Sequence, residues 1–182
     1  YTLVARFYKS AYRGALWYEG KILFQVEGES LDEAFRKLLP LLYEQQVSQA
    51  AKRNGASPST EEATKALYRI WPKISAGQKA MLLAHHKAEG QRITATQLAQ
   101  AAGYANYSAA NLQYGLLGAL LFAEMPEELP RRADGTPIMT CAIASGDAAE
   151  KDAEDHWVWK MRPHIYDALC VLNQAGGGTV RH

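Results

Sequence analysis

The stretch ITATQLAQAAGYANYSAANLQYGLLG, residues 93–118, predicts two helices separated by a tight turn. Thr94 and Gln97 have the spacing of a capping box, so the first helix is expected to begin beside Thr94. Gly103 can adopt the left-handed backbone that such a turn needs, and Asn106 can cap the second helix. This combination is typical of a helix-turn-helix.

The small and apolar residues of this stretch indicate which sides of the two helices pack together. Ala99 is small enough to let the helices approach closely, and Ala109 and Leu112 are expected on the inward side of the second helix. The residues expected to face outward near its start are Asn106, Tyr107, Ser108, Asn111 and Tyr114. Asparagine can bond adenine through two groups, while serine and tyrosine can bond bases or phosphates. The outward side is therefore expected to read bases in a DNA groove, where Tyr107 or Ala110 can contact a methyl group.

The distribution of charge indicates where phosphate contacts would come from. The net charge is only +1 at pH 7, which by itself does not favour a nucleic-acid partner. Between Lys73 and Gln113, however, several basic residues stand against the single acidic residue Glu89. We expect phosphate contacts from Lys73, Lys79, Arg92, Lys160 and Arg162, and further DNA contacts from Thr94 and Thr96. For Lys160 and Arg162, the alternative is a solvated face of the strand.

The segments TPIMTCAIASG (136–146) and HWVWKMRP (156–163) predict two strands joined by the acidic segment DAAEKDAED (147–155). A hairpin of this kind after three helices predicts a winged helix, with the acidic segment turned away from DNA. Trp157 and Trp159 share one face of the second strand. They are expected either to pack over the helices or, with Tyr107, to line a pocket for a modified base.

The first fifty residues predict a three-stranded antiparallel meander followed by a helix. Ser30 is placed to cap this helix, and Pro40 is expected to kink or split it. The aromatic residues Tyr12, Trp17 and Tyr18 can belong to the core or to a second contact surface.

These elements predict an α+β protein in which a small antiparallel β-meander plus helix precedes a winged helix-turn-helix. The expected organisation is a meander and helix over 1–50, a linker and connecting helix over 51–73, the winged helix-turn-helix over 74–175 and a linker-like tail over 176–182.

The sequence does not combine catalytic or metal-binding residue types at the spacings that an active site needs. His85 and His86 lie mid-helix, without a carboxylate or cysteine at ligand spacing, and are expected on the surface or half-buried. Cys141 and Cys170 are far apart and are expected to be small buried residues. We therefore expect a chain without catalytic residues, metal or cofactor. Because no apolar run is long enough to span a bilayer, a cytoplasmic protein without a membrane partner is expected.

Residues 93–118, followed by HWVWKMRPHIYDAL (156–169), resemble a module found in the N-terminal DNA-recognition domains of bacterial modification-dependent restriction endonucleases of the HNH type. The likeness covers roughly the C-terminal two thirds of the chain. It implies that the chain senses a methylated base, 5-methylcytosine in particular, in double-stranded DNA and directs a C-terminal nuclease domain or subunit. The segment AGGGTVRH (175–182) is where such a domain would attach.

Two other functions fit the same sequence. A transcriptional regulator that reads unmodified DNA would have the same fold. A protein-association module would instead use Tyr114, Leu117 and Leu121 at an interface. The sequence leaves the oligomeric state open.

Overall fold

The computed structural model describes residues 1–151 and 157–176 of the chain. The backbone falls into two compact units, Tyr1–Asn54 and Gly55–His182. The protein is α+β, as predicted, with an antiparallel sheet in the first unit and helices in both. Part of the predicted acidic segment and most of the predicted tail, residues 152–155 and 177–182, lie outside the described residues.

The first unit is a three-stranded antiparallel meander followed by one long helix. Its strands are β1 (Thr2–Tyr8), β2 (Ala11–Tyr18) and β3 (Lys21–Gly28), in the spatial order β1-β2-β3. Helix α1 (Leu31–Ala51) packs on one face of this sheet. The predicted meander is confirmed.

Helix α1 begins at Ser30, whose side chain accepts a hydrogen bond from the Glu33 N–H at 3.1 Å. Pro40 lies inside the helix, which runs on to Ala51, so the prediction that Pro40 splits it is wrong. Proline has no backbone N–H, so one hydrogen bond of the helix is missing at Pro40. Residues on both sides of it are buried, Leu38 and Gln46 among them, and this packing holds the helix together. A stripe of apolar side chains on α1 is exposed: Leu31, Phe35, Leu39, Tyr43 and Val47.

The second unit contains the remaining five α-helices among the described residues. These are α2 (Thr60–Ile70), α3 (Ala76–Lys87), α4 (Ala95–Ala102), α5 (Tyr107–Glu124) and α6 (Pro163–Gly176). Reciprocal capping boxes begin three of them, at Ser59, Ser75 and Thr94. Each box satisfies backbone N–H groups that have no partner within the helix.

A second antiparallel sheet accompanies these helices. Its strands are β4 (Arg92–Thr94), β5 (Ala144–Lys151) and β6 (Trp157–Met161), in the spatial order β4-β6-β5. Strand β4 lies between α3 and α4 and was not predicted. It has only three residues, which is too short for an alternating pattern to be recognised in the sequence.

Helix α5 passes through the core of the second unit. Ala110, Tyr114, Leu117 and Leu121 are all 0% exposed. The prediction that Tyr114, Leu117 and Leu121 form an association surface is therefore wrong, because these side chains are enclosed within the unit.

Among the described residues, no helix has both the length and the apolar character needed to cross a membrane.

The close contact between α5 and the short turn at Met139–Ala142 gives a test of this packing. A Cβ at Gly118 would lie 2.0 Å from the Met139 carbonyl oxygen. Gly118→Ala is therefore expected to lower the free energy of unfolding by about 2 to 3 kcal/mol, although alanine favours helices by about 1 kcal/mol. Urea unfolding followed by circular dichroism measures this change.

Gly115 in the same helix provides the matched control. Its added Cβ would meet only the Thr140 hydroxyl oxygen, at an ordinary 3.7 Å. Gly115→Ala is expected to leave stability unchanged or to raise it by up to about 1 kcal/mol. Equal losses in the two variants would contradict the close approach at Gly118.

Candidate nucleic-acid interface

The turn between α4 and α5 exposes the first residues of α5. Gly103 ends α4 with φ 69°, in the left-handed region where glycine is favoured. The Asn106 side-chain oxygen then accepts a hydrogen bond from the Ala109 N–H at 3.0 Å and caps α5. Asn106, Tyr107, Ser108 and Asn111 are all exposed. These side chains are accessible, as the role predicted for them requires.

The rotational phase of α5 differs from the prediction. Tyr114 and Ala110 are fully buried, whereas Leu112 is 63% exposed. The predictions that Tyr114 faces outward, that Ala110 reaches a base and that Leu112 packs inward are therefore wrong. Leu112 follows Asn111 in the chain and lies four residues after Ser108, so it extends the exposed polar side of α5 with an apolar group.

The burial of Tyr114 is explained by a hydrogen bond to His85 of α3. The Tyr114 hydroxyl lies 2.6 Å from His85 Nδ1, and His85 is 0% exposed. Sequence reasoning placed His85 on the surface or half-buried, which is wrong. A phenol can enter an apolar core at low cost when its hydroxyl has a partner there.

The contacts of Nε2, the other ring nitrogen of His85, show which nitrogen of the ring carries the proton. Nε2 lies 3.0 Å from the backbone oxygens of both Gln91 and Trp159. Because carbonyls only accept, Nε2 carries the proton, and Nδ1 accepts from Tyr114. Burial lowers the pKa of His85 to about 4, so the imidazole is neutral at pH 7. This network joins α3, α5 and β6, and it fixes the orientation of α5 relative to the sheet.

Two cations lie side by side on the sheet of the second unit. Arg92 of β4 and Lys160 of β6 are directly opposite each other in the antiparallel register, and both are exposed. An anion that lies against both side chains is attracted by two positive charges at once. This pair is therefore well suited to bind a phosphate group.

The other predicted backbone contacts differ in their availability. The Lys79 amine lies 5.6 Å from the centre of the Trp71 ring, and Lys79 is half-buried. Thr96 is also half-buried, in the first turn of α4. Thr94 is buried, and its hydroxyl accepts from the Gln97 N–H at 3.2 Å, so its side chain caps α4 and is not exposed for the predicted contact with DNA.

Arg162 has a structural partner in place of the expected phosphate. Its guanidinium forms an ion pair with Glu127, and the side chains of the two residues are 20% and 5% exposed respectively. Its backbone N–H also donates to the Ile143 oxygen at 2.9 Å. The Arg162 guanidinium is therefore held within the protein, which disagrees with its predicted contact to phosphate.

The tryptophans of β6 are not equivalent. Trp159 is half-buried and packs against the core, which agrees with the packing alternative for that residue. Trp157 is 48% exposed. Of this pair, Trp157 is the one whose ring is accessible to a base, and the pocket predicted for it with Tyr107 stays a prediction.

A contact between helices α3 and α6 brings His86 close to a thiol. Its ring stacks on Tyr166 with 4.8 Å between centres, and Nε2 lies 3.4 Å from Cys170 Sγ. Burial, together with the charge of Lys87, lowers the pKa of His86. Cys141 is buried, as predicted, whereas Cys170 is half-buried, so the prediction that Cys170 is buried is wrong.

No family model, curated protein or solved structure matches this chain. Among the side chains that the structure describes, residues 1–146 and 157–174, no three or more histidine, cysteine, aspartate or glutamate side chains form a group that could hold a metal ion.

Proposed function

We propose that this chain binds double-stranded DNA through a winged helix-turn-helix in its second unit, with the start of α5 in the major groove. The observation that carries the proposal is the exposed face formed by Asn106, Tyr107, Ser108 and Asn111 at the capped end of α5. A helix N-terminus is the end that recognition helices present to bases. The order α3-β4-α4-α5-β5-β6 supports the proposal, because β5 and β6 then correspond to a wing.

Base reading is assigned to Asn111 and its neighbours on α5. Asparagine can accept from and donate to adenine at once, and Ser108 can bond either a base or a phosphate. Leu112 gives the same surface an apolar group, which can contact the methyl group of thymine or of 5-methylcytosine. We therefore propose that a methylated base, 5-methylcytosine in particular, raises the affinity through Leu112.

Backbone anchoring is assigned to the cross-strand pair Arg92 and Lys160. Phosphate contacts fix the position of a protein on the duplex and supply most of its salt-dependent affinity. The resemblance to modification-dependent endonucleases also implies a partner. On that basis we propose that the chain targets a C-terminal nuclease domain or subunit to DNA.

A titration against matched duplexes tests the function. The same sequence is prepared unmodified, with 5-methylcytosine or with N6-methyladenine, and binding is followed by fluorescence anisotropy at two salt concentrations. Tighter binding to one methylated duplex supports a modification sensor, whereas salt-sensitive binding that ignores methylation favours a regulator of unmodified DNA. Self-association without DNA binding would contradict the proposal and would direct attention to the apolar stripe on α1.

Two substitutions separate base reading from backbone anchoring. Asn111→Ala is expected to cost about 1 to 3 kcal/mol on the preferred sequence and less on others, because it removes a base contact. Lys160→Ala is expected to weaken binding to all duplexes alike and to reduce the salt slope by about 1, because it removes a phosphate contact. Anisotropy titrations on a panel of duplexes measure both effects.

Lys87→Ala is the control for charge, since it removes one exposed cation at the end of α3. It should leave the salt slope unchanged. An equal loss on every duplex for Asn111→Ala would argue against base reading by α5.

A further inference from the structure

The sheet of the first unit has one face that α1 leaves uncovered. A Cβ built at Gly14 would touch the Ala34 oxygen of α1 at 2.9 Å, which identifies the covered face. The strand register places Arg6 opposite Arg13, and Ala15 opposite Gln25, on the other face. That face is a concave surface, and we call it the open sheet face. Its lining includes Arg6, Tyr8, Arg13, Trp17, Ile22 and Gln25.

Positive charge is concentrated on the open sheet face. The guanidinium carbons of Arg6 and Arg13 lie 5.4 and 5.3 Å from the centre of the same Tyr8 ring, and the Lys9 amine lies 5.4 Å from it. Glu27, opposite Arg13, forms an ion pair with that arginine at 2.9 Å. Glu27 thus pairs with one of three cations that lie near the Tyr8 ring.

The loop between β1 and β2 adds to this observation. Lys9 and Ser10 have φ values of 48° and 69°, in the left-handed region that two-residue hairpin loops usually fill with glycine or asparagine. A lysine there is held at some conformational cost. This turn places the Lys9 amine near the Tyr8 ring.

We infer that the open sheet face is a second surface for duplex DNA, with Arg6 and Lys9 on phosphates and Gln25 directed to base edges. Arginine forks fit phosphates and guanine, glutamine fits adenine, and strands can enter a major groove. The inference rests on the proposed function, because duplex DNA is the ligand of both surfaces. An acidic protein would be attracted by the same cations, and a second probe in the experiment distinguishes that outcome.

The experiment uses the full chain and a double variant, Arg6→Gln/Lys9→Gln. Anisotropy titrations on a 20-base-pair duplex are made at several salt concentrations, with an acidic polypeptide, poly-glutamate, as a second probe. We expect affinity for DNA to fall at least about tenfold at low salt. The slope of log Kd against log salt should fall by about 2, because two phosphates are no longer neutralised by the protein. Both effects should be the same for methylated and unmodified duplexes.

Arg36→Gln/Lys52→Gln is the matched control, since it removes the same charge from exposed positions on and beside α1. Its salt slope should equal that of the wild-type chain. Equal slopes for both double variants would overturn the inference while leaving DNA binding by α5 intact. Stronger binding to poly-glutamate than to DNA, abolished in Arg6→Gln/Lys9→Gln, would overturn it in favour of a protein partner.

The proposals for the open sheet face and for the start of α5 can be contradicted independently. Binding that depends on Arg6 and Lys9 but not on Asn111 or Lys160 supports the open sheet face and contradicts the proposed role of α5. A full chain that binds no duplex at low salt overturns both proposals.

Discussion

Replacing Arg162 with methionine is expected to lower the free energy of unfolding by about 3 to 5 kcal/mol. The Arg162 guanidinium contacts the Glu127 carboxylate, and the Glu127 side chain is only 5% exposed. Methionine preserves much of the volume of the arginine stem but leaves the buried carboxylate without this cation. Removing one partner of a buried ion pair is among the more costly changes in a protein interior. Urea unfolding at pH 7 measures the loss.

Two further variants show whether the loss comes from the buried charge. The double variant Arg162→Met/Glu127→Gln should recover much of the stability, because it removes both charges of the pair. Arg36→Met breaks a pair with Asp32 whose side chains are 71% and 73% exposed, and it should cost less than about 1 kcal/mol. If Arg162→Met weakened DNA binding without changing stability, the result would contradict the structural role of the ion pair. It would instead support the predicted contact between Arg162 and a DNA phosphate.

The sequence predicted the parts of the fold that depend on local interactions. The caps at Thr94 and Asn106 and the left-handed Gly103 each use hydrogen bonds or backbone preferences within a few residues. The meander was also predicted, because its runs of β-branched and aromatic residues are separated by short segments of turn residues. These signals were sufficient to place the exposed start of α5, and therefore most of the candidate reading surface.

Two mistakes at the candidate site concern partners that are distant in the chain. The helix-turn-helix spacing predicted Leu112 on the inward side of α5 and Tyr114 on the outward side. The partner that draws Tyr114 inward is His85, 29 residues earlier in the chain. The pairing of Arg162 with Glu127 spans 35 residues and gave no sequence signal. Periodicity reports the polarity of a side chain but not the presence of a buried polar partner.

Acidification is expected to reduce the free energy of unfolding by about 3 kcal/mol through His85 alone. The pKa of His85 is about 4 in the folded chain, and the ordinary value in an unfolded chain is about 6.5. The unfolded state therefore takes up a proton first as the pH falls. The full contribution of neutral His85 is present above pH 6.5 and is lost progressively between pH 6.5 and pH 4. Urea titrations at four values from pH 7 to pH 4 measure this dependence.

The physical origin of this pH dependence is the arrangement around the ring. A proton on Nδ1 would remove the acceptor of the Tyr114 hydroxyl and place a positive charge in an apolar core. His85→Gln should therefore start from a lower stability at pH 7 but lose less of it on acidification. His86→Gln, at the half-buried neighbouring position, should retain most of the wild-type dependence. An unchanged slope in His85→Gln would mean that other groups cause the acid loss, and that His85 does not fix α5 through a neutral imidazole.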